Sequence, residues 1–152
     1  MALLGGDRLS NSGKLTAMET SQKGTTIAHI GIAVRGLDDS ISFYRDVLGL
    51  PEVPLGDADG ARIAGLAAGA SLVELLEAET PESPIGKFIA KRGPGIHHVC
   101  FAVDDLDATL ERCRTHGIRL IDERPRLGAE GKRIAFLHPS STSGVLVELS
   151  EH

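Results

Sequence analysis

Ala28-His29-Ile30-Gly31-Ile32-Ala33-Val34 returns 69 residues later as His97-His98-Val99-Cys100-Phe101-Ala102-Val103. The match runs on into Leu37-Asp38 against Leu106-Asp107. Arg62-Ile63-Ala64-Gly65-Leu66 then answers Arg133-Ile134-Ala135-Phe136-Leu137 at a shift of 71, and Leu72-Val73-Glu74-Leu75 answers Leu146-Val147-Glu148-Leu149 at a shift of 74. Small loop insertions produce such a drift, and matches kept in one order mark a tandem duplication. The chain reads as one domain over residues 27–152, built from two repeats of about 27–92 and 95–152.

Each repeat opens on a strand. Ile30, Ile32 and Val34 alternate with His29, Gly31 and Ala33 over 27–34, the period of a strand with one bulky and one small face. Asp38 and Asp39 suit the first turn of a helix, where carboxylates meet the positive dipole end. That helix carries Ile41, Tyr44 and Leu48 and stops at Gly49 before Pro51. Strands near 61–67 and 71–77 follow, and a short helix around 84–91 bridges to the second repeat. There a strand over 96–103, a helix over 105–116 ending at Gly117, and strands near 118–122, 132–138 and 144–150 are expected. The order predicts an α+β fold of tandem βαβββ modules. Largely antiparallel sheets would lie side by side, backed by helices and concave between them.

Alternation then singles out four side chains. His29 shares its face with Gly31 and Ala33, and His98 shares its face with Cys100 and Ala102; small neighbours carve the space a cavity needs. Glu74 lies between Val73 and Leu75, and Glu148 between Val147 and Leu149. A carboxylate in an apolar strand is costly unless a cation or hydrogen bonds compensate it. A lone strand histidine is more often a packed or surface residue than a ligand. Here the repeat pairs His29 with His98 and Glu74 with Glu148, and pseudo-twofold symmetry would bring all four to one axis. Two imidazoles and two carboxylates suit a borderline divalent ion such as Co²⁺, Ni²⁺, Mn²⁺, Zn²⁺ or Fe²⁺. His97 should face away from His98, His116 should sit at a helix C-terminus, and His138 should lie in a turn.

Bulk composition narrows the classes. Hydrophobic residues at 41% and charged residues at 24% are ordinary for a globular chain. The net charge of −5 gives no electrostatic reason to seek nucleic acid. No apolar run reaches the roughly 20 residues that cross a bilayer. Cys100 and Cys113 make no disulfide framework and read as buried free thiols in a reducing, cytoplasmic setting. Residues 1–26, rich in Gly, Ser, Thr and Lys, read as a flexible N-terminal tail without a secretory core, with Met18 as an alternative start.

Gly95-Ile96-His97-His98-Val99-Cys100-Phe101-Ala102-Val103-Asp104-Asp105 resembles the central motif of the methylmalonyl-CoA epimerases, a branch of the vicinal-oxygen-chelate, glyoxalase-like enzymes. Phe136-Leu137-His138-Pro139-Ser140 leading into Gly144-Val145-Leu146-Val147-Glu148-Leu149 resembles that family too, as do Val73-Glu74-Leu75-Leu76-Glu77 and Ser83-Pro84-Ile85-Gly86-Lys87-Phe88-Ile89. The likeness runs from about residue 27 to the end. It implies a metal-dependent enzyme that interconverts (2R)- and (2S)-methylmalonyl-CoA by moving the C2 proton through an enolate that a divalent ion stabilises.

The resemblance also implies metal ligands at His29, His98 and Glu148, with Glu74 at a position held by Gln or Glu, and Co²⁺ as the ion, with Ni²⁺, Mn²⁺ or Zn²⁺ as substitutes. Glu148 matches a proposed acid/base. Some family members carry a second base at the position aligned with Ile63, which transfers no proton, so Glu74 is expected to take that role. An acyl-CoA substrate would set its phosphates against cations among Lys87, Lys91, Arg92, Lys132 and Arg133. A homodimer in the cytoplasm (or in the mitochondrial matrix of a eukaryote) is implied as well.

Rival readings are a glyoxalase I-like isomerase or lyase, an extradiol dioxygenase using two His and one Glu, and a non-catalytic ligand-binding protein of the same fold. The His138-Pro139-Ser140-Ser141 turn departs from the Asp-Pro-Asp-Gly type usual in the first. Glu74 would crowd the second, and filled ligand positions argue against the third.

Overall fold

A computed structural model describes residues 24–152. The tail expected over 1–26 falls almost wholly outside the described residues, and Thr26 already opens the first strand. In chain order the elements are β1 (Thr26–Val34), α1 (Leu37–Ser42, continued by a π-helical turn Phe43–Val47), β2 (Glu52–Val53), β3 (Ala61–Ala68), β4 (Ser71–Ala78) and α2 (Pro84–Arg92). The second half supplies β5 (Gly95–Val103), α3 (Leu106–Thr115), β6 (Arg126–Leu127), β7 (Arg133–Leu137) and β8 (Val147–Glu151).

The strands form one eight-stranded sheet in the order β2-β3-β4-β1-β5-β8-β7-β6, rather than two neighbouring sheets. Antiparallel pairing of β1 with β5 joins the halves. Within each half the first strand pairs in parallel with the last, β1 with β4 and β5 with β8. The sheet is therefore mixed, less uniformly antiparallel than the sequence implies, because a helix carries the chain back across the sheet between those partners. Side chains from every strand but β2 line one cavity, so the sheet curls around it.

The bulky faces pack as their alternation predicts. Ile32 and Val34 of β1 meet Leu37, Ile41 and Tyr44 of the first helical segment, with Leu66 and Leu75 beneath. Phe101 and Val103 of β5 meet Leu106, Leu110 and Cys113 of α3. A third cluster on the concave side joins Ala33, Ala61 and Leu76 to Ile85 of α2. The matched Arg-Ile-Ala motifs also gain a meaning: Arg62 reaches Glu77 at 2.9 Å and Arg133 reaches Glu151 at 3.2 Å. These are exposed cross-strand pairs, each worth no more than about 1 kcal/mol.

Three sequence expectations change. Residues 118–122 form no strand beyond a bridge between Leu120 and Leu137. Ile121 and Asp122 both donate their backbone N–H to the Phe136 carbonyl, which breaks the ladder, and the Asp122 carboxylate accepts from Phe136 N at 2.9 Å in place of a strand partner. The last strand begins at Val147 and not at Gly144, because Ser143 and Gly144 adopt positive φ of 58° and 83° after a 3-10 turn at Pro139–Ser141. Cys100 is fully buried as expected, but Cys113 is only partly so.

Helix α3 begins where Asp105 accepts a hydrogen bond from Ala108 N at 2.9 Å, satisfying one of the otherwise unpaired first-turn donors. Asp105→Ala should lower unfolding stability by about 1 kcal/mol in a denaturant titration.

Candidate active site and metal centre

Register builds the site. Gly31 of β1 lies between Glu74 of β4 and His98 of β5 in the sheet. Cys100 of β5 lies between His29 of β1 and Glu148 of β8. The four candidate residues thus stand on the four central strands, on the concave face, at positions matched by the repeat. All are buried: His29, Glu74, His98 and Glu148 expose 2, 3, 5 and 5% of their surface.

Their ends converge. His29 Nε2 lies 3.0 Å from His98 Nε2, 3.2 Å from Glu148 Oε2 and 3.4 Å from Glu74 Oε2, and His98 Nε2 lies 3.0 Å from Glu148 Oε2. An ion about 2.0–2.2 Å from each ligand leaves neighbouring ligand atoms roughly 3.0–3.5 Å apart. The donor atoms therefore stand where a coordination shell would hold them. The donor chemistry fits equally well, and Glu74 Oε1 is buried without any hydrogen-bond partner, an orphan that a cation would satisfy. His29, Glu74 and His98, and also His29, Cys100 and Glu148, offer ligand atoms within 4.8 Å of one another.

Glycine at position 31 is a steric requirement. A Cβ there would overlap the His98 imidazole. That ring has nowhere to retreat, being packed edge-on against Phe136, His29 and His97.

The charges respond to each other across the site. Burial alone would lower the His29 imidazolium, but hydrogen bonds with Cys100, Glu130 and Glu148 and the Glu74 charge push it up to about 12. Burial raises Glu74 to about 7, with Glu148 and Glu130 adding to the effect and His29 opposing it. Burial would also raise Glu148, yet hydrogen bonds and charge from His29 and His98 hold it down at about 2.

The cavity above these residues measures about 500 Å³. Ile63, Leu76, Ile134, Phe136 and Leu146 make its walls apolar. Ile63, at the position where some relatives were expected to carry a base, indeed faces this space. Two contributors escaped the sequence reading. Glu130, on the turn before β7, places Oε2 3.1 Å from His29 Nδ1. His97, expected to turn away, instead brings Nδ1 to 3.0 Å from His98 Nδ1 and packs on Phe88. Burial lowers His97 to about 4, so it is a neutral partner for that bond. His138 does not line the cavity; it caps the 3-10 turn by accepting from Ser140 N at 3.0 Å. His116 caps α3, its Nδ1 2.8 Å from the Arg112 carbonyl.

A second hollow opens from the same place. It shares Pro84, His97, His98 and Leu146 with the first and runs between α2 and residues 139–146, past Lys87, Lys91 and Arg92.

Two outcomes are expected. Gly31→Ala should weaken Co²⁺ binding more than about tenfold, read by the ion's visible absorbance, while far-UV circular dichroism stays unchanged. Protons compete with the ion: the raised values at His29 and Glu74 mean that the metal-free site holds protons near pH 7 which binding must expel. Affinity should then rise with pH, by about tenfold per unit for each proton displaced, and fall steeply as pH drops through 7. Calorimetry in buffers of different ionisation enthalpy measures the release, and an ion that binds without releasing protons contradicts this.

Comparison with known proteins agrees with the geometry. The profile of the Glyoxalase/Bleomycin resistance protein/Dioxygenase superfamily matches residues 26–149. The mitochondrial methylmalonyl-CoA epimerase of Mus musculus is 39% identical over 127 residues, covering 81% of this chain and 71% of the mouse protein. The crystal structure of methylmalonyl-CoA epimerase from Mycobacterium tuberculosis superposes with a TM-score of 0.79 at 42% identity, covering 82% of this chain and 86% of that one. The Streptomyces coelicolor methylmalonyl-CoA epimerase (S115T), in complex with 2-nitronate-propionyl-CoA, gives 0.80 at 39% identity, covering 85% and 95%. This chain belongs to the Glyoxalase/Bleomycin resistance protein/Dioxygenase superfamily and, within it, to the methylmalonyl-CoA epimerase family.

Proposed function

We propose that this protein epimerises methylmalonyl-CoA at C2 with a divalent ion held by His29, Glu74, His98 and Glu148. The observation that carries the reading is the meeting of four buried donor side chains, from matched positions of two repeats, at the floor of an apolar cavity, with His98, Glu74 and Glu148 all within 3.4 Å of His29 Nε2. The 2-nitronate-propionyl-CoA bound by the Streptomyces coelicolor relative adds support. A nitronate is planar at carbon with charge on its oxygens, as an enolate is.

The C2 hydrogen, between a thioester and a carboxylate, is too weak an acid for an unaided side chain near neutral pH. The ion, when bound, acts as a Lewis acid that stabilises charge developing on substrate oxygen; Co²⁺ is the preferred choice, with Ni²⁺, Mn²⁺ and Zn²⁺ as substitutes. Epimerisation needs a proton removed from one face of C2 and returned to the other. β4 and β8 flank the β1–β5 pair from opposite sides, so Glu74 and Glu148 approach the centre from opposite flanks. Glu148 serves as one acid/base and Glu74 as the other. In that role the Glu74 carboxylate takes up the proton through the oxygen that the ion leaves free. Apolar walls at Ile63, Leu76 and Phe136 exclude water that would quench the carbanion.

The second hollow is the proposed path of the CoA chain. Lys87, Lys91 and Arg92 line it and form no ion pair among the described residues, whereas Arg133 is engaged by Asp107 and Glu151. A homodimer in the cytoplasm, or in the matrix of a eukaryote, completes the reading. Phe43, Val47 and Leu48, exposed by 51, 73 and 53%, form an apolar patch that a second copy would cover. No helix among the described residues is long and apolar enough to cross a membrane.

The decisive test is proton–deuterium exchange at C2 of methylmalonyl-CoA in D₂O. Exchange should require a divalent ion and stop with a chelator; no exchange with any divalent ion would falsify the assignment. Glu148→Gln and Glu74→Gln should each slow epimerisation by about 10²–10⁴-fold in ion-saturated protein. Near-normal epimerisation in Glu74→Gln beside an inactive Glu148→Gln would remove Glu74 from proton transfer.

A further inference from the structure

With Nε2 of His29 and His98 turned to the centre, each ring has its Nδ1 left to be satisfied outside it. The two are satisfied differently. His98 Nδ1 meets the imidazole of His97 at 3.0 Å, whereas His29 Nδ1 meets the Glu130 carboxylate at 3.1 Å. A carboxylate can only accept, so Nδ1 of His29 carries a hydrogen, and it is the Nε2 proton that an ion would displace to use that lone pair.

Glu130 is built into this place. It lies 101 residues from His29 in sequence, on a turn closed by Gly131 N donating to the Gly128 carbonyl at 3.0 Å and by Gly128 N donating to Lys132 O at 2.9 Å. Gly131 supplies the positive φ of 72° that the turn needs. A hydrogen bond from Gly56 N to Ala129 O at 3.3 Å ties the turn to the first repeat. The Glu130 side chain is only 19% exposed and borders the main cavity.

We propose that Glu130 is a positioning residue for the metal centre: it selects the tautomer of His29, fixes the plane of its ring and strengthens Nε2 as a donor. The inference rests on reading the four central side chains as metal ligands. Outer carboxylates of this kind orient imidazole ligands and raise their basicity. Direct proton transfer by Glu130 is disfavoured by the geometry, because its carboxylate contacts Nδ1 and the imidazole ring stands between it and the atoms at Nε2.

The experiment compares chelator-treated wild type, Glu130→Ala and Glu130→Gln by Co²⁺ titration, reading affinity and the visible absorbance of the bound ion. Far-UV circular dichroism of the metal-free proteins serves as the fold control. Glu130→Ala should weaken Co²⁺ binding roughly 10–100-fold. Glu130→Gln, whose amide oxygen still accepts the Nδ1 hydrogen, should recover binding to within about tenfold of wild type. With Co²⁺ saturating, KM for methylmalonyl-CoA should stay unchanged in both variants.

Wild-type Co²⁺ affinity in Glu130→Ala overturns the proposal and leaves the metal reading intact. So does normal binding in both variants accompanied by equal loss of kcat, which would make Glu130 a proton-transfer group. Should Glu130→Ala fail the fold control, Glu130→Gln decides alone: a loss as large as 100-fold would contradict a role carried by the hydrogen bond. A wild type that binds no divalent ion removes the metal reading and this inference together.

Discussion

Antiparallel pairing of β1 with β5 is the contact on which the rest of the molecule depends. It places Gly31 opposite His98 and Cys100 opposite His29, and so brings imidazoles 69 residues apart to a nitrogen–nitrogen distance of 3.0 Å. Because side chains alternate along a strand, a slip of one residue would turn both histidines onto the helix-covered face and both bulky sets into the cavity. Packing opposes such a slip from both sides. Val34 and Val103 are locked beneath Leu37 and Leu106, and Gly31 alone has the empty space into which the His98 ring fits. β4 and β8 then need only pair in parallel with those two strands to deliver the carboxylates.

The cost of this arrangement is electrostatic. Two carboxylates and two imidazoles lie more than nine-tenths buried beneath a cavity with largely apolar walls. In the metal-free protein they are held by mutual charge, with His29 protonated and Glu148 ionised, and one oxygen of Glu74 still goes without a partner. A site kept in that state is under-satisfied. The same four groups around a divalent cation would have their charges compensated and that oxygen placed beside positive charge. Binding the ion would also tie the two halves together, since each supplies one imidazole and one carboxylate.

Much of this was legible in the chain because duplication writes the same message twice. His29 and His98, and Glu74 and Glu148, were recognisable as a set since strand period and repeat shift, two independent signals, agreed on them. The helix-facing residues were legible for the same reason. What escaped lies where periodicity carries no information. Glu130 follows Gly128-Ala129 on a tight turn, and nothing local distinguishes it from any solvated glutamate; only the fold of residues 128–131 over β1 brings it to His29. Strict alternation puts His97 on the far face, but a strand at the centre of a curled sheet lets its half-buried ring reach back to His98. Residues 118–122 look like a strand by composition, yet the Asp122 side chain takes the hydrogen bond that a strand partner would have made.

The divergence between the repeats is as informative as their likeness. A perfect twofold would make the two sides of the centre identical, and here they are not. Gly31 in one half corresponds to Cys100 in the other, so one imidazole packs directly on a glycine backbone while its counterpart lies against a buried thiol. One ring leans on a carboxylate and the other on a second imidazole. Glu148 is drawn low by contact with both imidazoles, whereas Glu74 is raised by burial toward neutrality. In the proposed reaction the substrate is itself unsymmetrical, a thioester on one arm and a carboxylate on the other, and its two C2 faces meet different surroundings in any chiral cavity. Duplication would then supply two carboxylates on opposite flanks, as inversion of a carbon centre requires, and the later loss of symmetry would let each be tuned for the face it serves.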